Sequence, residues 1–212
     1  ASFAIPFFSW FNLVQFTPSQ ASACVYDDTN AIEPSYSSTL KANSSSCACF
    51  ADQEELHTAV RQFVRDLCSD SNNCKNSVVQ KYGRPIGSWC VSEVTDMRNL
   101  FNSLRNFYDD LASWDVAAVT DMGSMFKDAS SFDQDLSSWN VSSVTNMGAM
   151  FSGASSFNQP LAFWDVSSVT NAGSMFSGAS SFNQDLSSWD VSVCTKMGSM
   201  FSSATNFDQD LS

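Results

Sequence analysis

Charged side chains are scarce in this 212-residue chain, at 15%, against roughly a quarter in an ordinary globular protein. Cations are scarcer still. The 10 Lys and Arg stand against 22 Asp and Glu, a net charge of −12 with a sequence pI near 4.1. From Asn106 onward there are 12 acidic residues and only two basic ones, Lys127 and Lys196. Such a surface repels phosphate backbones and anionic lipid, so nucleic acid is excluded as a partner. The single histidine, His57, excludes sites built on several imidazoles, whether zinc cages or acid–base triads. No uninterrupted run of about 18 apolar residues is present to read as a transmembrane helix. These lacks leave no catalytic residue, metal site or cofactor motif to name, and the expectation is a protein that is not an enzyme.

What the chain does have is apolar residues, at 43%, enough for a real core, and a period. Tryptophan recurs at Trp89, Trp114, Trp139, Trp164 and Trp189, 25 residues apart each time. Aligned on the Trp, the second unit reads WDVAAVTDMGSMFKDASSFDQDLSS and the fourth WDVSSVTNAGSMFSGASSFNQDLSS, with a degenerate first unit, WCVSEVTDMRNLFNSLRNFYDDLAS. Trp114 and Val116 alternate with a polar residue, as a short half-buried strand would. Thr120 then reads as an N-cap, and Met122, Met125, Phe126 and Ala129 at i, i+3, i+4, i+7 read as one face of a short helix. No unit could bury this set alone, whereas stacked units give one continuous core. Gly123, Gly148, Gly173 and Gly198 recur at one position, where a missing side chain would let neighbouring units approach closely.

These motifs resemble the BspA-like surface-protein repeat, W-D-V-S-x-V-T-x-M-x-x-M-F-x-x-A-x-x-F-N-Q-D-L-S-S, a relative of the leucine-rich repeat found in bacterial surface lipoproteins and in secreted proteins of protists and microalgae. The resemblance covers residues 83–212, with departures at Cys90, Pro160, Ala172 and Cys194. It implies an extracellular or cell-surface location and a right-handed solenoid used in surface contact. The expected fold is therefore an α/β repeat solenoid of about five 25-residue coils over residues 89–212. A disulfide-stapled, Cys-rich helical cap over 24–88 and an extended aromatic N-terminal arm over 1–23 precede it.

The cap reading rests on Asp52-Gln53-Glu54-Glu55, a capping box, followed by a stripe of Leu56, Val60, Phe63, Val64 and Leu67. His57 on this helix reads as a surface or capping side chain. Six cysteines lie in or beside the cap, Cys24, Cys47, Cys49, Cys68, Cys74 and Cys90. They suggest three disulfides formed in an oxidising compartment, with the pairing left open. Cys194 replaces an inward Val and reads as a buried thiol. Asn43 and Asn140 open N-x-S sequons, so glycans are possible partners. The acidic columns, Asp133 and Asp135, Asp185, and Asp208 and Asp210, are broken by Asn158, Pro160 and Asn183. They read as a solvated edge of Asn and Gln ladders rather than a calcium site.

The arm, with Ala21-Ser22-Ala23 at its end in the form of a signal-peptidase site, carries Phe3, Phe7, Phe8, Trp10, Phe11, Leu13 and Phe16. The last unit would leave Trp189, Met200, Phe201 and Phe207 on an open face. The two together predict a homo-oligomer or filament, an extracellular self-assembling surface protein joined through arm and solenoid ends into a fibre or coat. A monomeric adhesion or recognition module is the alternative, and a carbohydrate-active enzyme a distant third.

Overall fold

A computed structural model describes residues 49–66, 68 and 77–210. The arm, Cys24, Asn43, Cys47, Leu67 and Cys74 lie outside the described residues.

Helix α1 spans Gln53–Arg65 and begins where the capping signal places it, with the Asp52 carboxylate accepting from the Glu55 N–H at 2.9 Å. The reciprocal bond goes one residue further back, from the Ala51 N–H to Glu55. Leu56, Ala59, Val60 and Phe63 form its buried face. Helix α2, Ser77–Tyr82, buries Val78, Val79 and Tyr82, and a 3₁₀ turn at Ile86–Ser88 leads to Trp89. The rings of Phe50, Phe63 and Tyr82 surround Trp89 at centroid distances of 5.3, 5.4 and 5.8 Å. The helical segment thus covers the outer face of the first 25-residue unit. Cys49–Cys90 ties the two together across 41 residues, a closure that restricts the unfolded chain by about 4 kcal/mol in the chain-entropy view.

From Trp89 onward the expected elements do not form. Among the described residues there is no β-strand, and α1, α2 and the 3₁₀ turn are the only helices. The α/β leucine-rich-repeat solenoid, and with it the BspA-like assignment, is therefore corrected. The strand shrinks to one parallel bridge per unit, Asp96 to Asp121 to Asn146 to Asn171 to Lys196. The helix fails because its N–H groups are divided. Met125, Lys127 and Ala129 donate three residues back, to Met122, Ser124 and Phe126, while Met122, Ser124, Phe126 and Asp128 donate out of the unit altogether. An α-helix needs every interior N–H to bond four residues back. Left-handed backbone at Ser124 and Asp128 (φ 56° and 57°) interrupts it further. Each unit is instead a coil of successive tight turns.

The expected function falls with its scaffold. A fibre or coat built from solenoid ends, and adhesion through a solenoid face, both presuppose the fold just corrected. The arm meant to join protomers lies outside the described residues, and the outer face of the first coil is already occupied by the helical segment. The core itself is columnar. Phe101, Phe126, Phe151, Phe176 and Phe201 stack at 5.2 to 5.7 Å with rings within 8° of parallel. Phe107, Phe132, Phe157, Phe182 and Phe207 form a second column at 6.0 to 6.1 Å. Each interior indole N–H donates to the carbonyl 28 residues earlier, as from Trp139 to Leu111 at 3.0 Å.

The helical segment carries its own pH dependence. Glu55 accepts from Lys81 Nζ at 2.6 Å and from the Tyr82 hydroxyl at 2.5 Å, and these bonds hold its carboxyl at about 2, against an ordinary 4.5. A depressed folded-state pKa contributes stability above the ordinary value and loses it as pH falls through the folded one. Urea midpoints of the wild type should therefore drop between pH about 4.5 and 2, and Glu55→Gln should flatten that part of the profile. Parallel profiles for the two proteins would show that the pair contributes nothing.

Candidate functional site

The bonds between coils share one direction along four rows. Met97, Asn99, Phe101 and Ser103 donate N–H to the carbonyls of Asp121, Gly123, Met125 and Lys127, at 2.7 to 3.0 Å. Met122, Ser124, Phe126 and Asp128 donate in turn to Asn146, Gly148, Met150 and Ser152, and the pattern continues to Lys196, Gly198, Met200 and Ser202. Each peptide group accepts on one side and donates on the other. Four chains of peptide dipoles thus run head to tail through the stack, as they do along a helix, whereas strand dipoles in a sheet largely cancel. The rows are flanked by bonds of opposite sense, such as Thr145 N–H to Thr120 C=O and Ser156 N–H to Ser130 C=O.

The two ends of this array differ in chemistry. At the carbonyl end, the first-coil carbonyl of Arg98 accepts from Gln53 Nε2 at 3.4 Å. His57 is half-buried beside it. Desolvation lowers its pKa, opposed by a hydrogen bond to the Arg98 backbone, which suits a neutral capping side chain rather than an acid–base group. At the other end, the N–H groups of Met197, Ser199, Phe201 and Ser203 find no acceptor among the described residues.

Beside those four donors lies a hollow of about 400 Å³, lined by Leu186, Ser187, Trp189, Val191, Met197, Met200 and Phe201. Met197 is 43% exposed and Val191 38%, whereas Met147 and Val166, their counterparts beneath covering coils, are at 0% and 3%. Next to the hollow, Lys196 and Gly198 are exposed. In coils two and three a side chain would crowd the next coil, since a Cβ at Gly148 would sit 2.6 Å from Asn171 Nδ2 and one at Gly123 2.8 Å from Asn146 Nδ2, whereas at Gly173 the nearest atom is Asn171 Oδ1 at 3.3 Å. At Gly198 nothing lies within 4 Å.

The structure brings together three residues singled out from sequence, Trp189, Met200 and Phe201, at this hollow. Phe207 is half-buried on Phe182. Val193, Lys196, Met197 and Gly198 complete the open face, and the recurring glycine column was the signal that could have flagged the last of them. Cys49 and Cys90 form a disulfide, Cys68 is also disulfide-bonded, and Cys194 is a partly exposed free thiol rather than a buried one. Asn140 is exposed, its side-chain carbonyl bonded to the Ser142 N–H and hydroxyl.

The carboxylates of the repeat are spent on turns and ladders. Hydrogen bonds from the backbone N–H and then the hydroxyl of the serine two positions on hold Asp135, Asp185 and Asp190 below the usual carboxylate range. At Asp165 the Ser167 hydroxyl leads and the N–H follows. Asp133 accepts from the Asn158 N–H and Gln159, Asn158 from the Asn183 N–H and Gln184, and Asn183 from the Asp208 N–H and Gln209. Among the described residues no three His, Cys, Asp or Glu side chains group as metal ligands would.

The fold and its open end define a class of protein: a disulfide-linked helical cap on a stack of 25-residue turn-built coils whose far face is apolar and donor-rich. The chain belongs to the family described as Mycoplasma protein of unknown function, DUF285, which matches residues 70–172 and 142–212, about two thirds of its length. No curated protein and no solved structure matches it.

The glycine column gives a direct check of the coil spacing. Gly148→Ala should lower stability by about 1–3 kcal/mol, because the added methyl must displace the Asn171 amide. Gly198→Ala, with open space before it, should fall within about 0.5 kcal/mol of the wild type. Equal costs in chemical denaturation would contradict the spacing.

Proposed function

We propose that the face of coil five is covered by further polypeptide, of the same chain or of another, held there outside the cytoplasm and without covalent chemistry. The observation that supports the reading is the coincidence at one face of four unpaired backbone N–H donors with an apolar hollow of about 400 Å³. Apolar surface beside a row of main-chain donors is the chemistry by which proteins hold peptide backbone, the donors giving affinity and the hollow selecting side chains. Nothing at this face supplies a nucleophile–base pair, and the nearby carboxylates are bound in turns. The net charge of −12 makes a strongly acidic partner unfavourable.

An extracellular or cell-surface location fits the disulfides, which persist in oxidising compartments. It also fits the exposed sequon at Asn140, and we propose that this asparagine carries a glycan. Protein secreted from a eukaryotic host should lose mass on N-glycosidase treatment, and Asn140→Gln should lose that share of the shift. An unchanged mass in both would remove the glycan from the proposal.

Docking is tested with a displayed library of random peptides panned on the full chain. Retained peptides should bind wild type and lose at least about tenfold in affinity on Met197→Asp, because a carboxylate would be buried against an apolar ligand. Met197 is already 43% exposed, so the variant should fold. A library that yields no binder, or binders indifferent to Met197→Asp, would refute the assignment.

A further inference from the structure

We propose that the flank of coil three binds a cationic polypeptide segment, with an arginine or lysine of that segment lying over the Phe163 ring. The surface is lateral and lies between covered coils, so the proposal stands apart from the reading of coil five.

Phe163 is 87% exposed, more than any other large apolar residue described. It ends coil three, in a column otherwise filled by Ser113, Ser138 and Ser188. Those on either side of it serve the stack. Ser138 and Ser188 donate their hydroxyls to the carbonyls 26 residues earlier, Ala112 and Ala162, at 3.0 and 2.6 Å. A phenyl ring cannot make the matching bond. Three residues before it, Pro160 replaces the aspartate found at Asp110, Asp135 and Asp185, each of which accepts the N–H two positions on. Coil three therefore departs from the repeat twice within one turn and gives up both side-chain hydrogen bonds of that turn. Neither replacement is buried, since Pro160 is exposed as well. The coils before and after keep the standard residues, so position in the stack does not demand the change. Internal packing gains nothing from it, whereas a ligand would gain a bare ring.

Charge identifies the ligand. Between Lys127 and Lys196 the chain has no basic residue. Asp135 and Asp185 occupy the Pro160 column one coil to either side. Their carboxylates accept from the N–H groups of Ser137 and Ser187, each of which adjoins a column neighbour of Phe163. Asp165, two residues on from Phe163 and past the inward Trp164, is exposed on the same flank. The turn hydrogen bonds keep all three carboxyls ionised. A cation is attracted both by the face of an aromatic ring and by carboxylates beside it. A second copy of the chain would instead bring its own carboxylates against these. Asp135 and Asp185 lie two coil spacings apart, the spacings being 5.6 and 5.7 Å in the phenyl column, too far for one ammonium group to meet both. An extended chain with basic residues three apart spans about 10 Å. It can place one cation over the ring beside one aspartate and a second at the other.

The probe is a fluorescein-labelled peptide of four Arg-Gly-Gly units, titrated into the full chain and followed by anisotropy. The wild type should bind it and should not bind the Gln-Gly-Gly counterpart. Phe163→Ser installs the residue of the neighbouring coils without changing the net charge. It should weaken binding about three- to fivefold while the thermal midpoint stays the same or rises. Asp185→Asn keeps an acceptor for the Ser187 N–H and removes one charge from the flank. It should weaken binding more than Glu54→Gln, which removes one charge from the exposed start of α1. Undiminished affinity in Phe163→Ser, or equal losses in Asp185→Asn and Glu54→Gln, would mean diffuse attraction to an acidic protein and would overturn the proposal. Failure of the wild type to bind, or equal binding of the Gln-Gly-Gly peptide, would overturn it too.

Discussion

Everything in the repeat region depends on one interaction, the peptide-to-peptide hydrogen bond between coils. It fixes the separation of neighbouring coils, and that separation is what brings the phenyl columns to between 5.2 and 6.1 Å, within the range where offset aromatic rings attract. It also dictates the local backbone. To send alternate N–H groups along the stack, the chain must take left-handed conformation at Ser124 and Asp128 and at the matching residues of every coil. Such residues cost energy in isolation, and in coils one to four each is held by a bond from its own N–H to the next coil. A single coil is consequently not a folding unit. Its apolar residues, its donors and its strained positions are all satisfied by neighbours, as expected of a quasi-one-dimensional stack.

Alignment of these bonds makes the stack polar, and the ends are treated differently for that reason. The carbonyl end meets helix α1, where Gln53 donates to Arg98 and Phe50 donates its N–H to Cys90. Three aromatic rings close over Trp89, and the Cys49–Cys90 disulfide holds the arrangement shut. A helical cap suits that end because its side chains bring donors to carbonyls. The N–H end requires acceptors, which a hydrophobic helix face lacks.

Much of this was legible in the residues and some was not. The period, the helix over Gln53–Arg65 with its Asp52 cap, and the burial of Met125, Phe126, Met150, Phe151, Met175 and Phe176 all follow from spacing that the structure shares, while Met200 and Phe201 at the same positions of coil five are only partly buried. The strand and helix within each unit do not. Met122, Met125, Phe126 and Ala129 point inward in a coil of turns just as they would on a helix, because both conformations advance about three to four residues per turn. Apolar periodicity cannot separate the two. The column Ser103, Asp128, Gly153, Gly178 and Ser203 carried the distinguishing signal. Two glycines and an aspartate at one position suit positive φ, which no interior helical residue adopts, and all five positions have it. The open face was legible only in its large apolar members. Its donors belong to the backbone and leave no mark on composition.

The distribution of departures from the repeat bears on how the open face is used. Interior coils are nearly interchangeable because each side chain meets its own counterpart. Coil one departs most, with Arg98, Leu100, Leu104 and Arg105 in place of the interior pattern. It is the coil that meets something unlike itself. Arg98 shows what such a departure accomplishes: its carbonyl takes a bond from the cap while its guanidinium pairs with Asp96 and Asp121. Coil five departs more narrowly, at Val193, Cys194 and Lys196, and keeps Met197, Gly198, Met200 and Phe201. A face meant only for solvent would favour polar replacements among the kept residues, since Met197 and Val191 stand bare there. Coil five thus retains the coil-to-coil contact set of the coils before it while exchanging one amide for a cation at the bridge.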